Sequence, residues 1–406
     1  MVAGMASSIQ PTDTASYVRS GFVVTAALVL VVAVTAAVIT DDAPTPRPQS
    51  LAGVAANGLI AYSYAGDIYV GDPVTGETTA IVTNPIYEVN PVFSPDGTRI
   101  AFMRGDPEYD PSVLVVRTDG SDERVVMPKG FSKAWAGPFA WTPDGSSLVI
   151  GHDDEATPYA DGYLSLFDAD GEAEQRRFAP PLPSFIGAMP FNPSARVAPM
   201  FRPPDGDLIL GNWGPNALRV FDASSLKSVG QLARRALERH EPYFVEQTTW
   251  SPDGARIAFQ LDVEGGTRSG LFVMDADGSD LRRLGDLMNS LQWSPDGSKI
   301  AYDREGNEPD RPTGVIVIVD LASGAERVLE ATRAQQKEGA RFHTMSFNAA
   351  HTWYHEGWSW APDGRSLLVL ENHRTRPWVV DIATDTVIEL PWFVDSMPSW
   401  QRVTSG

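Results

Sequence analysis

Trp293–Tyr302 reads WSPDGSKIAY, and the reading of these ten residues decides the fold. Ser-Pro-Asp-Gly is a chain reversal. Proline pre-sets φ at the second turn position, aspartate tolerates the third, and glycine supplies the left-handed backbone. Ile300, Ala301 and Tyr302 then begin a strand, with β-branched and aromatic residues alternating with a small one. Trp293 ends the strand before the turn. The unit is predicted as a β-hairpin.

The same unit recurs in both directions along the chain: FSPDGTRIAF from Phe93, WTPDGSSLVI from Trp141, WSPDGARIAF from Trp250 and WAPDGRSLLV from Trp360. A looser copy with one extra residue, FRPPDGDLIL, starts at Phe201; an alternative phase, FNPSARVA, starts at Phe191. The LILGN that follows Phe201 matches the LVIGH of the preceding repeat and favours Phe201. Each hairpin leads to a third strand that ends in a polar turn, as in VLVVRTDGSD (113–122), LFVMDADGSD (271–280) and VIVIVDLASG (315–324). A fourth follows, such as ERVV, LRRL or ERVL. Four antiparallel strands per repeat make one propeller blade.

The second strands begin near Leu59, Ile100, Leu148, Leu208, Ile257, Ile300 and Leu367, which predicts seven blades. The first lacks an aromatic strand before it. Pro398–Val403 (PSWQRV) carries the aromatic and then the chain runs out, so Trp400 supplies the missing strand and the two ends share one blade. Such pairing removes a sheet edge. Six blades, with the degenerate repeat near Phe201 merged, is the alternative.

This repeat, W-S-P-D-G-x-x-I-A-F followed by a strand and D-A-D-G-S, resembles that of TolB-like (WD40-like) propellers over about residues 57–403. The resemblance implies an extracytoplasmic bacterial propeller that binds proteins or small ligands. It departs from the Tol–Pal component itself, which carries an N-terminal α/β domain. Here residues 1–56 divide into a short cytoplasmic tail (1–20), a transmembrane signal anchor (21–40) and a proline-rich linker (41–56). Gly21–Thr40 is an uncharged run without an amphipathic stripe, long enough at about 1.5 Å per residue to cross about 30 Å of hydrocarbon. Arg19 before it and Asp41 and Asp42 after it place the N-terminus in the cytoplasm and the propeller outside the cell membrane. A cleaved secretory signal is the alternative, although the apolar run exceeds a typical signal core.

Composition narrows the function. A net charge of -20 and the lack of a basic stripe exclude nucleic acid as a partner. The chain has no cysteine, which removes disulfides, thiolate zinc sites and cysteine nucleophiles. No GxSxG nucleophile elbow occurs, so the propeller-bearing serine peptidases are excluded and no catalytic residue is assigned. The turns after first and third strands are short. Every long insertion falls on the opposite face: 104–112, 151–162, 180–199, 233–247 and 331–357. Loops held by a rigid scaffold are the usual place for binding groups.

The last insertion holds His343, His351, Trp353, Tyr354, His355 and Glu356. These six are the candidate binding residues. His351 and His355 are four apart and would share one helical face, so with His343 they are the candidate ligands of a divalent metal. Some pectin-degrading lyases with related propellers hold a metal on histidines; HEGWSWAPDG is only loosely similar to them. The competing reading is a polar, aromatic loop packed over the channel. DADGSD at Asp275–Asp280 looks like half a calcium loop but lacks the terminal glutamate and reads as a turn. LARRALERH (232–240) could form a short amphipathic helix. Two functions are expected from these features: a non-catalytic scaffold for an envelope protein, peptide or glycan, or a metal-dependent, lyase-like carbohydrate enzyme.

Overall fold

The computed structural model describes residues 55–105, 111–131, 136–152, 163–171, 174–178, 208–211, 218–222, 228–232, 243–263, 270–285, 291–304, 315–330, 357–370 and 375–403. All named elements are strands, and among these residues they form seven antiparallel sheets. Sheet A joins β1 (Ala56–Tyr64), β2 (Asp67–Gly71) and β3 (Thr78–Val82) to the C-terminal β27 (Ser399–Val403), in the order β27-β1-β2-β3. Sheet B holds β4 (Glu88–Phe93), β5 (Arg99–Arg104), β6 (Ser112–Arg117) and β7 (Arg124–Met127). Sheet C holds β8 (Ala136–Trp141), β9 (Ser147–His152), β10 (Tyr163–Asp168) and β11 (Glu174–Phe178). Sheet D has three strands, β12 (Leu208–Gly211), β13 (Leu218–Asp222) and β14 (Ser228–Leu232). Its expected first strand near Phe201 lies outside the described residues. Sheet E holds β15 (Tyr243–Trp250), β16 (Arg256–Val263), β17 (Gly270–Asp275) and β18 (Arg282–Gly285). Sheet F holds β19 (Leu291–Trp293), β20 (Lys299–Arg304), β21 (Val315–Asp320) and β22 (Glu326–Val328). Sheet G holds β23 (Gly357–Trp360), β24 (Ser366–Leu370), β25 (Trp378–Asp381) and β26 (Val387–Glu389).

Among the described residues the protein is thus all-β, and six of the seven sheets are four-stranded antiparallel units as the repeat predicts. The pairing of each hairpin is the same. Phe93 faces Ile100, Trp141 faces Leu148, Trp250 faces Ile257, Trp293 faces Ile300 and Trp360 faces Leu367. Trp400 faces Ile60 in the same register, so the C-terminal strand takes the first-strand place in the sheet that starts the domain. One expectation shifts. Tyr243–Gln247, read as part of a loop, belongs to β15, because Tyr243–Glu246 pairs with Gln260–Val263 and extends the hairpin.

The core lies between sheets rather than inside one. Successive side chains on a strand point to opposite faces, and here both faces are covered. On β5, Ala101 and Met103 pack against Trp141 and Ile150 of sheet C, while Ile100 and Phe102 pack against Ala61 and Ile68 of sheet A. On β24, Leu367 and Val369 face sheet F, and Leu368 and Leu370 face Ile60 and Tyr62 of sheet A. This explains why central strands read IAF or VLVV rather than alternating with charge. Burying one such side chain contributes about 1.5–3 kcal/mol.

Side-chain bonds reinforce the joint between sheets G and A. Asp395 Oδ2 accepts from the Ala65 amide at 2.7 Å, and the Ser63 and Ser396 hydroxyls meet at 2.7 Å. Among the described residues no helix is long and apolar enough to cross a membrane; residues 21–40 lie outside them.

Candidate functional site

First strands carry the site, and their turns set its geometry. In sheet F, the Gly297 amide donates to the Ser294 carbonyl at 2.8 Å, with Gly297 at φ 67°, a conformation that favours glycine. Asp296 Oδ1 then accepts from Ser294 Oγ at 2.5 Å and from the Ser298 amide at 2.9 Å. The Lys299 amide returns a bond to Ser294 Oγ at 2.9 Å. Burial opposes ionisation of Asp296, but these hydrogen bonds outweigh it and hold the carboxyl below its ordinary value. Asp96, Asp144 and Asp253 are lowered in the same way, against burial, by bonds from Ser94, Thr142 and Ser251. The PDG aspartates are therefore turn clamps.

Adjacent first strands are laced together by their tryptophans. Trp141 Nε1 donates to the Val92 carbonyl at 3.1 Å, Trp293 Nε1 to Thr249 at 3.4 Å and Trp360 Nε1 to Gln292 at 3.3 Å. Arg99 and Arg256 lie over Trp141 and Trp293 of the next sheet, 4.9 and 5.2 Å from the ring centres. They also donate to the carbonyls of Gly145 and Gly297. Each cation thus adds a stacking contact and a charge-assisted bond across the joint.

Sheet A breaks this pattern. No turn joins β27 to β1. Gln401, one residue after the aromatic, replaces the serine: its Oε1 accepts from the Leu59 amide at 3.0 Å, and its Nε2 donates to the Gly97 carbonyl at 2.8 Å. The next residue, where sheet F has Pro295, is Arg402. Trp400 Nε1 is buried and has no acceptor, unlike its counterparts.

These strands surround a cavity of about 510 Å³. Six of the seven sheets (A, B, C, E, F and G) line it, through first strands, the turns after them or the residues leading into β27. The cavity therefore sits where the first strands of these sheets converge. Val92, Phe139 and Trp360 give it apolar walls, and Pro252, Pro295 and Pro362 contribute the prolines of three PDG turns. Asn90, at φ 57°, and Pro91 also line it; the β4–β5 register shifts between Val89 and Val92, which lifts both out of the ladder. Arg402 is the single charged residue among the described residues of the lining. Three residues of the lining each hold one polar atom that is closed to solvent and without a partner: Arg402 Nε, Trp400 Nε1 and Ser359 Oγ. A buried polar group left unpaired costs about 1–3 kcal/mol. Burial lowers the Arg402 guanidinium from its ordinary value. Sequence reading passed over Arg402, although aligning PSWQRV with WSPDG places it against a proline.

Glu88 and Arg104 sit at the other end of β4 and β5. Arg104 Nη2 approaches the fully buried Glu88 at 2.6 Å and also forks onto Glu123 at 2.7 and 2.8 Å. Burial pushes the Glu88 carboxyl up, partly offset by Arg104.

The expected binding residues His343, His351, Trp353, Tyr354, His355 and Glu356 lie outside the described residues, as does 233–240. Asp275–Asp280 is a turn: the Asp275 amide donates to the Ser279 carbonyl, and Asp277 accepts the Ser279 amide and hydroxyl.

No family model and no curated protein matches the chain. Among solved structures it is similar to a functionally unknown protein from Desulfotomaculum acetoxidans DSM 771, at 14% identity over 86% of this chain and 100% of that one, with a TM-score of 0.52. It is also similar to TolB from Acinetobacter baumannii, at 14% identity over 88% and 68% of the two chains, with a TM-score of 0.42. A third is an oligogalacturonate lyase in complex with manganese, at 15% identity over 82% and 74%, with a TM-score of 0.39. At these identities the likeness concerns the fold alone. A TolB and a protein described as a putative TolB are thus among the structures it is similar to.

Proposed function

We propose that the chain is a membrane-tethered, extracytoplasmic, seven-bladed β-propeller. It acts as a non-catalytic scaffold that engages an envelope protein, peptide or glycan through its long-loop face. The observation that carries this reading is the β27–β1 pairing, which ties the two ends of the domain into one sheet and gives the loops a rigid frame. Seven sheets among the described residues support the blade number. The uncharged run Gly21–Thr40, with Arg19 before it, supports the tether.

Two measurements test it together. The full chain is expected in the membrane fraction, and a chain lacking residues 1–40 in the soluble fraction. Crosslinked envelope extract is expected to yield a partner with the full chain and to lose it when residues 331–356 are replaced by a short glycine-serine linker. Recovery of the same partner by the shortened chain would overturn the loop-face assignment. The metal-dependent, lyase-like alternative rests on His343, His351 and His355. It requires stoichiometric metal in the purified protein and its loss in His355→Ala.

A further inference from the structure

We propose that the cavity binds a small organic monoanion, a carboxylate carried on an apolar or aromatic body, with Arg402 holding the charge. This goes beyond the scaffold reading. Every residue it uses lies on a first strand or on the turn after one, and none on a long loop.

Position is the first ground. Five repeats put a proline directly after the serine, threonine or alanine of the turn: Pro95, Pro143, Pro252, Pro295 and Pro362. Sheet A needs no turn there, because the chain does not reverse between β27 and β1. The position is thereby released from turn duty, and it carries an arginine that faces the cavity.

Unmet bonding is the second. A guanidinium presents five donors in a planar fork that matches a carboxylate. Arg402 Nε is buried without an acceptor, and no carboxylate pairs with Arg402 among the described residues. Trp400, two residues earlier, projects from the same side of the strand, and its Nε1 is also unpartnered. Ser359 Oγ adds a third group from the neighbouring first strand. All three residues line one cavity, with these three atoms themselves closed to solvent. A carboxylate accepts several such bonds at once.

The remaining lining selects the rest of the ligand. One cation balances one negative charge, which favours a monoanion over a phosphate dianion. Val92, Phe139 and Trp360 offer contact to an apolar body. A cavity of about 510 Å³ is in the range of small-molecule pockets.

Fluorine NMR titration of the full chain in nanodiscs, with empty discs as blank, tests the proposal. 4-Fluorobenzoate is expected to bind saturably at one site. Uncharged 4-fluorobenzamide is expected to bind at least about tenfold more weakly, since it lacks the charge-assisted pair. Arg402→Met should weaken benzoate at least about tenfold and leave the amide unchanged. Ser359→Ala leaves the closing strand intact, serves if Arg402→Met does not fold, and should weaken benzoate about threefold. Absence of saturable benzoate binding, equal binding of acid and amide, an unchanged benzoate affinity in either folded variant, or tighter binding of inorganic phosphate overturns the proposal. Partner recovery from envelope extract should be unaffected by Arg402→Met, so the two readings fail separately.

Discussion

Sheets F and A have the same strand order and the same tryptophan–isoleucine pair, Trp293 with Ile300 and Trp400 with Ile60, yet they are built differently. In sheet F the five residues 294–298 join the inner strands through a turn, and Ser294 and Asp296 clamp it. In sheet A the inner strands come from opposite ends of the domain. Gln401 does by side-chain length what Ser294 does beside a turn: its oxygen takes the Leu59 amide, as Ser294 Oγ takes that of Lys299. A covalent turn restricts the unfolded chain, whereas the closing strand must be brought back across the whole domain. The closing strand therefore depends on burial and on long-range bonds alone. The same freedom from the turn leaves Arg402 and Trp400 with donors that are not spent on structure.

The largest expected effect comes from breaking sheet A. Deleting residues 399–406 removes β27 and exposes the edge of β1 and the face of Ile60. The loss should exceed the ~3–5 kcal/mol of a large aromatic core truncation and abolish a cooperative urea transition. A protein that unfolds with the wild-type midpoint would show that closure is dispensable.

A smaller effect separates the tryptophans. Trp141→Phe loses an indole bond to the Val92 carbonyl, whereas Trp400→Phe loses none. Both lose ring volume; Trp141→Phe also weakens the stacking of Arg99, and Trp400→Phe removes a buried donor that has no partner, and both differences act in the same direction as the lost bond. Trp141→Phe is expected to be more destabilising by about 0.5–1.5 kcal/mol, read from urea midpoints at equal slope. Equal losses would mean that the indole bonds between sheets carry no net stability.

The smallest effect is on pH dependence. Asp96, Asp144, Asp253 and Asp296 are held low, so their contribution is present above the ordinary aspartate range and is lost as pH falls through the depressed values. Glu88 has the opposite sign. Its raised carboxyl favours the fold when protonated, and that contribution fades as pH rises through its value. Sheet A has Gln401 in place of a PDG clamp; its lowered aspartate, Asp72, lies in the turn between β2 and β3. Melting temperatures between about pH 6 and pH 3 should fall, and Asp296→Asn should flatten that fall relative to wild type. An unchanged slope would remove the clamp role of Asp296.

Much of this was legible in the residues. The PDG hairpins and the pairing of Trp400 with the first sheet followed from a repeat whose turn chemistry is local. Local conformational preference is written in a few neighbouring side chains, so it survives reading one residue at a time. The extension of β15 over Tyr243–Glu246 was not legible, because its signal is the pairing with Gln260–Val263. The tether and the histidine group at 343–356 are likewise sequence expectations placed on segments outside the described residues, as is most of the loop face.

By itself the sequence determined the repeat unit, its turn clamps and the need for a strand from the far end to complete the first sheet. Only the tertiary structure decided that residues hundreds of positions apart line one cavity, and that Arg402, Trp400 and Ser359 in its lining each keep a buried polar atom without a partner. The reason is physical. A turn is fixed by bonds among neighbours, whereas an unmet donor is defined by what every other strand of the ring fails to bring to it.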